Sequence, residues 1–448
     1  MLHRRLAAAA ALALAAPTAF AQTPWTAFAN VNDAGAQSVG GVGPAIDISA
    51  NGRFVTFLSN VSLDPADTNG LIDVYVRDLE LNDTIYVGPS AGGATNGSAE
   101  WTSISATGRY VVFTSNATNL GPLDTNANGD VYRKDLTTGA VDLVSIGAGG
   151  AQSNGHSIYA VISDSGRWVA FRTTATNIVA SFLGNSVIVA RDMQTGTSVL
   201  ASTNTAGAVP SNVSDRPQIS ADGRYVVFHS AANNLIPVDA NPSNDVFRKD
   251  LNTGAVALVS SGPAGQQTCS NENAEMSADG RYVTFHTSGA FLPSDSGGAF
   301  DVYLKDLTTG VLTLISHAPN GLAVGGVYPA ISADGKHVSF NSTSSLIVAG
   351  KLNAQQEIFV RDVTLNLVVR VCQSPAAADP NGPTTVSSLS SNGRRVAMLS
   401  YADNIVLPDN NPGSVDAIVR DRGAPNAPFV YCIPRINSIG CTPVVSFS

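Results

Sequence analysis

The sequence has unusually few charged residues. Asp, Glu, Lys and Arg make up 13% of its 448 residues, against roughly 25% in an ordinary soluble domain. Ser, Thr, Asn and Gly must therefore supply its polarity, and these residues favour turns and strands over long helices. Asp and Glu outnumber Lys and Arg by 34 to 25, for a net charge of −9. Because this charge repels phosphate backbones, no nucleic-acid partner is expected.

Cysteines and long apolar runs are also scarce. The cysteines are Cys269, Cys372, Cys432 and Cys441, which is too few to stabilise so long a chain, so the hydrophobic core must do so. After residue 21, no segment has the roughly 18 consecutive apolar residues that cross a membrane. The sequence therefore predicts no membrane span, and we expect a monomer.

The first 21 residues have the pattern of a secretory signal peptide. A basic start is followed by an alanine- and leucine-rich stretch from Leu6 to Ala16. Ala19, Phe20 and Ala21 then form a small-x-small cleavage site. We expect residues 1–21 to be removed and the remaining chain to be exported, to the periplasm or outside the cell.

A repeat of 55 to 58 residues dominates the rest of the chain. Each copy has a glycine in a tight-turn context, at Gly52, Gly108, Gly166, Gly223, Gly280, Gly335 and Gly393. A fixed period of this length is typical of repeat architectures. The spacing predicts one domain over residues 22–422, built from seven units.

Each repeat is predicted to contain four short strands. In the fourth copy, the first strand covers Pro217–Ser220 and the second covers Arg224–Ser230, with a hairpin turn at Asp222-Gly223 between them. The third strand covers Asp245–Asp250 and the fourth Ala255–Ser260. A longer loop separates the second strand from the third.

The second strand is apolar on both sides. Tyr225 and Val227 point one way while Val226 and Phe228 point the other, because side chains alternate along a strand. Both faces of each sheet must therefore be covered. Sheets packed radially around an axis meet this requirement, so the sequence predicts a seven-bladed β-propeller of four-stranded antiparallel blades.

The two ends of the repeat region complement each other. Thr26–Val31 corresponds to a fourth strand with no blade before it, and the last repeat ends its third strand at Asp421 without a clear fourth strand. We expect the N-terminal strand to complete the seventh blade. This pairing would close the ring and leave no exposed edge there.

Two sequence blocks carry a family resemblance. The blocks ISADGRYVVF from Ile219 and DVFRKDLNTG from Asp245 resemble the WD40-like (PD40) repeats of the TolB family of β-propellers, over roughly residues 24 to 422. The resemblance implies an exported bacterial propeller, whose relatives mostly act as binding scaffolds. We expect no TolB-type N-terminal domain in this chain, so we do not expect the Tol–Pal role to carry over.

Residues 423–448 fall outside the period and form a C-terminal tail. Cys432 and Cys441 are nine residues apart, a spacing that closes a small loop, so they are a candidate disulfide. Cys269 and Cys372 lie in different repeats. The sequence leaves open whether these two cysteines pair or stay free.

Asp and Asn recur in the loop before the third strand. Asp124, Asn126, Asn128 and Asp130 match the opening of a calcium loop. Two other repeats contain related sets, Asp67, Asn69 and Asp73, and Asp239, Asn241 and Asp245. Ca²⁺ is thus the one candidate cofactor. The alternative is that these residues only form Asx turns and start strands. The sixth repeat supports it, because it has Lys351 and Glu357 at the positions of the two aspartates and so forms a blade without the set.

A variable position is predicted near the axis. Five residues before each turn glycine the side chain varies, whereas the next residue is always apolar. If the first strand is innermost, the variable position lines the central channel, where small polar ligands bind. Asp47, Gln218 and Glu275 are then the candidate ligand-binding residues. The alternative is that they contact channel water.

The sequence shows no catalytic signature. H-E-x-x-H is absent, and His229 and His286, at equivalent places in neighbouring repeats, are the one pair that suggests a metal or acid–base role. The sequence therefore predicts a non-catalytic scaffold that binds a protein or a glycan. The alternative is a propeller-type polysaccharide lyase or glycosidase with its site at the channel mouth, around Asp47 and Glu275.

Overall fold

The computed structural model describes residues 24–37, 40–121, 124–179, 185–239 and 241–423. In these ranges, 28 strands form seven four-stranded antiparallel sheets, and the one helical segment is a 3-10 turn at Ala148–Gly150. No helix in this part of the chain is long and apolar enough to cross a membrane. The predicted signal peptide, Cys432 and Cys441 lie outside the described residues.

The sheets are the blades of a seven-bladed β-propeller, as predicted. The strand nearest the N-terminus, β1 (Trp25–Phe28), belongs to the seventh blade. Blades 1 to 3 consist of β2 (Val42–Ile48), β3 (Phe54–Ser59), β4 (Asp73–Asp78), β5 (Asp83–Tyr86), β6 (Ala99–Ile104), β7 (Tyr110–Ser115), β8 (Asp130–Asp135), β9 (Val141–Leu143), β10 (Ser157–Ile162), β11 (Trp168–Thr173), β12 (Val187–Asp192) and β13 (Thr197–Leu200).

Blades 4 to 7 continue the same order, four strands to a blade. They consist of β14 (Ser214–Ile219), β15 (Tyr225–Ser230), β16 (Asp245–Asp250), β17 (Val256–Leu258), β18 (Asn271–Met276), β19 (Tyr282–Thr287), β20 (Asp301–Asp306), β21 (Leu312–Leu314), β22 (Val327–Ile331), β23 (His337–Ser342), β24 (Glu357–Asp362), β25 (Leu367–Arg370), β26 (Thr384–Leu389), β27 (Arg395–Ser400) and β28 (Asp416–Asp421), with β1 as the fourth strand of blade 7.

The fourth repeat shows where the strand prediction was accurate. The third strand, Asp245–Asp250, has the predicted bounds. The first strand begins at Ser214, three residues before the predicted start at Pro217. Proline cannot donate to a ladder, but a register shift between Asp215 and Gln218 accommodates it inside the strand.

The ring closes through β1, as predicted. Trp25 lies opposite Asp421 and Phe28 opposite Ile418 on β28. The ladder continues one residue further, where Ala29 N donates to Ala417 O at 2.7 Å. The strand itself is shorter than the predicted Thr26–Val31. The outer side of β28 is therefore paired and presents no open edge.

Each sheet is buried on both faces between its neighbours. In blade 4, Val226 and Phe228 belong to an apolar cluster shared with blade 3, whereas Val227 belongs to a cluster shared with blade 5. Blades 7 and 1 share a cluster that includes Val419 and Phe57. The last blade is thus packed against the first as the others are packed against each other.

The turn glycines form a second set of contacts between blades. All seven have positive φ, from 66° to 81°, a region that only glycine adopts freely. A side chain at the start of the second strand covers the glycine of the next blade, and a Cβ on that glycine would overlap it. The covering residues are Phe54, Tyr110, Trp168, Tyr225, Tyr282, His337 and, across the closure, Arg395.

In most blades an ion pair links the start of the second strand to the end of the third. Six blades have an arginine directly after the turn glycine, and it pairs with the aspartate that ends the third strand. The six nitrogen–oxygen distances lie between 2.6 and 2.8 Å, in Arg53–Asp78, Arg109–Asp135, Arg167–Asp192, Arg224–Asp250, Arg281–Asp306 and Arg394–Asp421. Hydrogen bonds from Arg109 lower the pKa of Asp135 to about 2.

The two described cysteines, Cys269 and Cys372, are free thiols. Cys372 is buried, with its Sγ 3.2 Å from Thr384 Oγ1 and 3.9 Å from Met398 Sδ. Burial raises the pKa of its thiol to about 12. The described fold therefore rests on packing between blades and not on a bond between these two cysteines.

The contact between a turn glycine and its aromatic cover predicts a specific loss of stability. Gly223→Ala would strain a residue at φ 77° and force its Cβ into the Trp168 indole. We expect a loss of about 2 to 4 kcal/mol in the free energy of unfolding, the sum of backbone strain and overpacking. The measurement is the denaturant midpoint.

The matched control is Gly254→Ala in the same blade. Gly254 has φ 75°, but the nearest atom to its Cβ would be Thr205 O at 3.8 Å. We expect this variant to lose only the backbone part, about 1 kcal/mol. Equal losses in the two variants would contradict a role for the aromatic cover.

Candidate functional site

The first strands of the seven blades form a closed ring around the axis. Each contacts the first strands of both neighbouring blades, from β2 round to β26 and back to β2. The seven variable positions all border one channel cavity of about 210 Å³: Asp47, Ser103, Val161, Gln218, Glu275, Ala330 and Ser388. The structure thus places them along the channel, and a ligand-binding role for Asp47, Gln218 and Glu275 stays a prediction.

Asp47 ties three blades together inside the channel. Its carboxylate accepts hydrogen bonds from Ser388 Oγ of blade 7 at 2.7 Å and from Ser103 Oγ of blade 2 at 2.9 Å. The backbone N–H groups of Ile104 and Ile48 also donate to it. Burial raises the pKa of Asp47 despite these donors. With four donors already in place, this carboxylate links blades 7, 1 and 2.

Glu275 differs from Asp47 because it has one donor. Gln218 Nε2 donates to Glu275 Oε1 at 2.7 Å. Burial, together with the negative charge of Asp47, raises the pKa of Glu275 to about 8. The side chain is therefore mostly a neutral carboxylic acid at pH 7, with a proton to donate.

A larger cavity of about 790 Å³ lies at one end of the channel, and we call it the mouth cavity. Its lining includes Trp101, Tyr159, Arg216, Asn273, Glu275 and Tyr328. Gln218 and Glu275 also line the channel cavity, so the two spaces adjoin. Because the lining comes from the beginnings of the first strands, the mouth cavity opens on the face that carries the loops before the third strands.

Bulges in the first strands form the wall of the mouth cavity. In all seven blades the register between the first two strands shifts. In four successive blades a non-glycine residue at the shift has positive φ, with values of 57° at Tyr159, 45° at Arg216, 47° at Asn273 and 51° at Tyr328. Such residues cost on the order of 1 to 3 kcal/mol each and concentrate at functional sites.

Three of the wall residues form a continuous surface across blades 2 to 4. The rings of Trp101 and Tyr159 meet edge to face, with centroids 5.1 Å apart. The guanidinium of Arg216 lies 4.8 Å from the Tyr159 centroid. This half of the wall thus offers aromatic surface and one cation. Sequence reasoning missed Tyr159 and Arg216 because nothing in their identity signals a positive φ.

His286 supports the other half of the wall. Tyr328 N donates to His286 Nδ1 at 3.1 Å, and Asn273 Nδ2 lies 3.4 Å from His286 Nε2. Burial lowers the pKa of His286 to about 4, and burial also lowers the pKa of His229. Both imidazoles are therefore neutral at pH 7, and His286 positions Tyr328.

The calcium-loop residues of blade 2 form turns on the same face. Asn126 N donates to Asp124 Oδ1 at 3.1 Å, and Asn128 N donates to Asn126 Oδ1 at 2.6 Å. Asp130 begins β8 and accepts a hydrogen bond from Ser145 Oγ at 2.5 Å. These are the Asx turns of the alternative interpretation.

The sets in blades 1 and 4 repeat this arrangement. Asn69 N donates to Asp67 Oδ1, and Asn241 N donates to Asp239 Oδ1, both at 3.2 Å. Asp73 and Asp245 begin the third strands of these blades. No cluster of three or more His, Cys, Asp or Glu that could hold a metal ion occurs among the described residues. Calcium therefore stays a prediction.

A G-x-S-x-G sequence lies outside any catalytic context. Residues 88 to 92 read GPSAG, in the connector between β5 and β6. A nucleophile elbow of this type joins a strand to a helix, and no helix follows here. The connector therefore supplies no nucleophile of that kind.

Comparisons with known proteins show the fold. No family model and no curated protein matches the chain. An oligogalacturonate lyase from Vibrio parahaemolyticus is 12% identical, with a TM-score of 0.51, over 89% of this chain and 97% of its own. A puromycin-hydrolysing peptidase from Mycobacterium tuberculosis is 13% identical, with a TM-score of 0.50, over 90% of this chain and 56% of its own.

A TolB-type protein from Agrobacterium tumefaciens is also among the similar structures. It is 17% identical, with a TM-score of 0.41, over 78% of this chain and 97% of its own. At these identities the likeness shows a β-propeller alone. Membership of the TolB family and the PD40 type of the repeats stay predictions.

The raised pKa of Glu275 predicts a pH-dependent stability. The pKa of Glu275 in the folded chain, about 8, lies above the ordinary pKa of 4.5. As the pH rises, the unfolded chain therefore loses this proton at a lower pH than the native state does. The stability from this group is present below pH 4.5 and is lost as the pH rises towards 8. Glu275→Gln mimics the neutral acid, and we expect it to gain stability over the parent chain between pH 5 and pH 9, measured as the denaturant midpoint.

The control for this titration is Glu80→Gln. The Glu80 side chain is 60% exposed and contacts Arg53 at 3.3 Å on the surface. The difference between this variant and the parent is the baseline for removing one exposed carboxylate. A Glu275→Gln difference that does not grow relative to this baseline as the pH rises would contradict the raised pKa of Glu275.

Proposed function

We propose that this chain is an exported β-propeller that binds a glycan in the mouth cavity without transforming it. The observation that carries the proposal is the row of strained wall residues, Tyr159, Arg216, Asn273 and Tyr328. A fold that only had to close its ring would not need positive φ in four successive blades, in three of them at residues that rarely adopt it. Strain of this kind persists where a binding surface requires it.

The size of the cavity favours a small ligand over a protein surface. About 790 Å³ lies within the range of roughly 300 to 1,000 Å³ that small-molecule sites span. Protein partners usually bury flatter patches of about 800 Å² on each side. A single sugar chain entering the mouth fits this concave shape better.

The chemistry of the wall suits a saccharide. A sugar ring has an apolar C–H face and a rim of hydroxyl groups. Trp101 and Tyr328 offer aromatic surface, and the Tyr328 residue remains 45% exposed. Arg216, Asn273 and the acid of Glu275 offer the hydrogen-bonding groups that fix orientation.

One observation favours an enzyme as a second candidate. A carboxylic acid with a pKa of about 8, as at Glu275, resembles a general acid of a glycosidase. Such an enzyme also needs a base or nucleophile facing the same bond. Asp47 is bound by four donors in the channel, so we place binding first and catalysis second.

Aromatic truncation tests the binding proposal. We expect the parent chain to bind members of a glycan panel, and Trp101→Ala and Tyr328→Ala each to weaken binding by about 10- to 100-fold, because each variant removes a central contact surface. The measurement is titration calorimetry, supported by quenching of tryptophan fluorescence, since the chain has only 3 Trp residues.

The matched control is Leu352→Ala. Leu352 is 91% exposed in the blade 6 loop and does not line the mouth cavity. This variant should bind as the parent does. Binding that survives both aromatic substitutions would contradict the proposed site. If the parent forms glycan products and Glu275→Gln does not, the chain is an enzyme and the binding proposal is wrong.

A further inference from the structure

In blade 6, a lysine ammonium occupies a cage of oxygen atoms. Lys351 Nζ donates to Asn353 O at 2.7 Å, to Asn353 Oδ1 at 2.8 Å and to Gln355 O at 2.9 Å. It also lies 3.2 Å from Glu357 Oε1, and both side chains are completely buried. Four oxygens of three residues therefore surround one positive charge.

The same loop shape recurs in blades 1 and 2. The asparagine at the Asn353 position always reaches a carbonyl of the next connector, at 2.8 Å for Asn353, 3.0 Å for Asn69 and 3.1 Å for Asn126. Its Oδ1 always accepts from the N–H two residues later. Because these anchors match, the cage oxygens of blade 6 have counterparts in the other two blades.

The cation has no counterpart in blades 1 and 2. At the Lys351 position they have Asp67 and Asp124, and at the Glu357 position they have Asp73 and Asp130. Compared with blade 6, the cages of blades 1 and 2 therefore each have one more carboxylate and no ammonium group. Glu357 is further paired with the Arg370 guanidinium at 2.8 Å, whereas the corresponding residues of blades 1 and 2 are Tyr86 and Leu143.

The replaced charge leaves an unpartnered oxygen in each cage. Asp73 and Asp130 are 2% and 0% exposed. The Oδ2 atom of each is buried and has no hydrogen-bond partner. Because a buried carboxylate oxygen without a partner is costly, the cages of blades 1 and 2 lack one positive group.

Blade 4 shows how a loop of this type is completed without a cation. Gln266 Nε2 donates to Asp239 Oδ1 at 3.0 Å and to Asp245 Oδ2 at 2.5 Å. Asn241 Nδ2 also donates to Asp245 Oδ2, at 3.2 Å. Here one amide bridges both aspartates. In blade 2 the corresponding amide, Gln152 Nε2, donates to Asp124 Oδ1 at 2.5 Å and leaves Asp130 Oδ2 without a partner.

We propose that the loops of blades 1 and 2 each bind a Ca²⁺ ion at the place that the Lys351 ammonium takes in blade 6. The ligands would be the carboxylates of Asp67 and Asp73 in one loop and of Asp124 and Asp130 in the other, with asparagine and backbone oxygens. Ca²⁺ accepts such mixed oxygen sets and completes them with water. Two carboxylates balance the charge of one ion.

Ca²⁺ binding in these loops would not require a ligand in the mouth cavity. Asn69 and Asn126 fasten each loop to the connector that leads into the next first strand. A bound ion would therefore fix the loop beside the start of β6 or β10, from which Trp101 and Tyr159 project.

Calcium titration of the purified, EDTA-treated chain tests the proposal. We expect calorimetry with CaCl₂ up to about 10 mM, a range that covers extracellular calcium modules, to show two sites. Asp73→Asn and Asp130→Asn should each remove one site, and the double variant should remove both. Melting in Ca²⁺ and then in EDTA should show a stabilisation that falls in step with the number of sites.

Two further variants keep the test decisive. Asp239→Asn in blade 4 should leave two sites, because the Gln266 amide already bridges both aspartates of that loop. Asp124→Lys combined with Asp130→Glu transfers the blade 6 pair into blade 2 and should fold without Ca²⁺ while removing one site. The proposal is overturned if the parent binds no Ca²⁺, or if its sites survive in the Asp73→Asn, Asp130→Asn double variant.

Discussion

The burial of both faces of every second and third strand is the constraint on which the rest of the structure depends. Val226 and Phe228 pack towards one neighbouring blade and Val227 towards the other. A sheet of this kind cannot end a stack, because its last face would be exposed. Seven such sheets therefore require a ring, and the ring requires a strand that completes the last blade. Trp25–Phe28 supplies that strand.

The candidate site follows from the same ring. Seven first strands must converge on one axis, where space is limited, and each shifts register against its neighbour. The shift turns Tyr159, Arg216 and their equivalents towards the axis. Below them, Asp47 joins three blades, while Glu275 accepts a hydrogen bond from Gln218 and lines both cavities. The channel thus divides into a structural part and an open mouth.

Most of the fold could be predicted from the sequence, because the repeats and their turn residues are easy to recognise. The turn glycines, the bounds of Asp245–Asp250 and the closing strand could be predicted, because local turn signals and alternation recur seven times. The positive φ of Tyr159 and Arg216 could not, since packing around the axis imposes it and neither residue favours it. In the sequence, Lys351 indicates only that a blade forms without the Asp and Asn set, because the sequence does not show that its ammonium lies among oxygens.

Hydrogen exchange in blade 7 tests the closed ring most directly. Strand β28 is a third strand covered by β1, as β16 is a third strand covered by β17 within one continuous repeat. If β1 completes the ring, the amides of β28 that face it should exchange as slowly as those of β16 that face β17. Exchange in β28 at the rate of an open sheet edge would contradict the closed propeller and the site built at its axis.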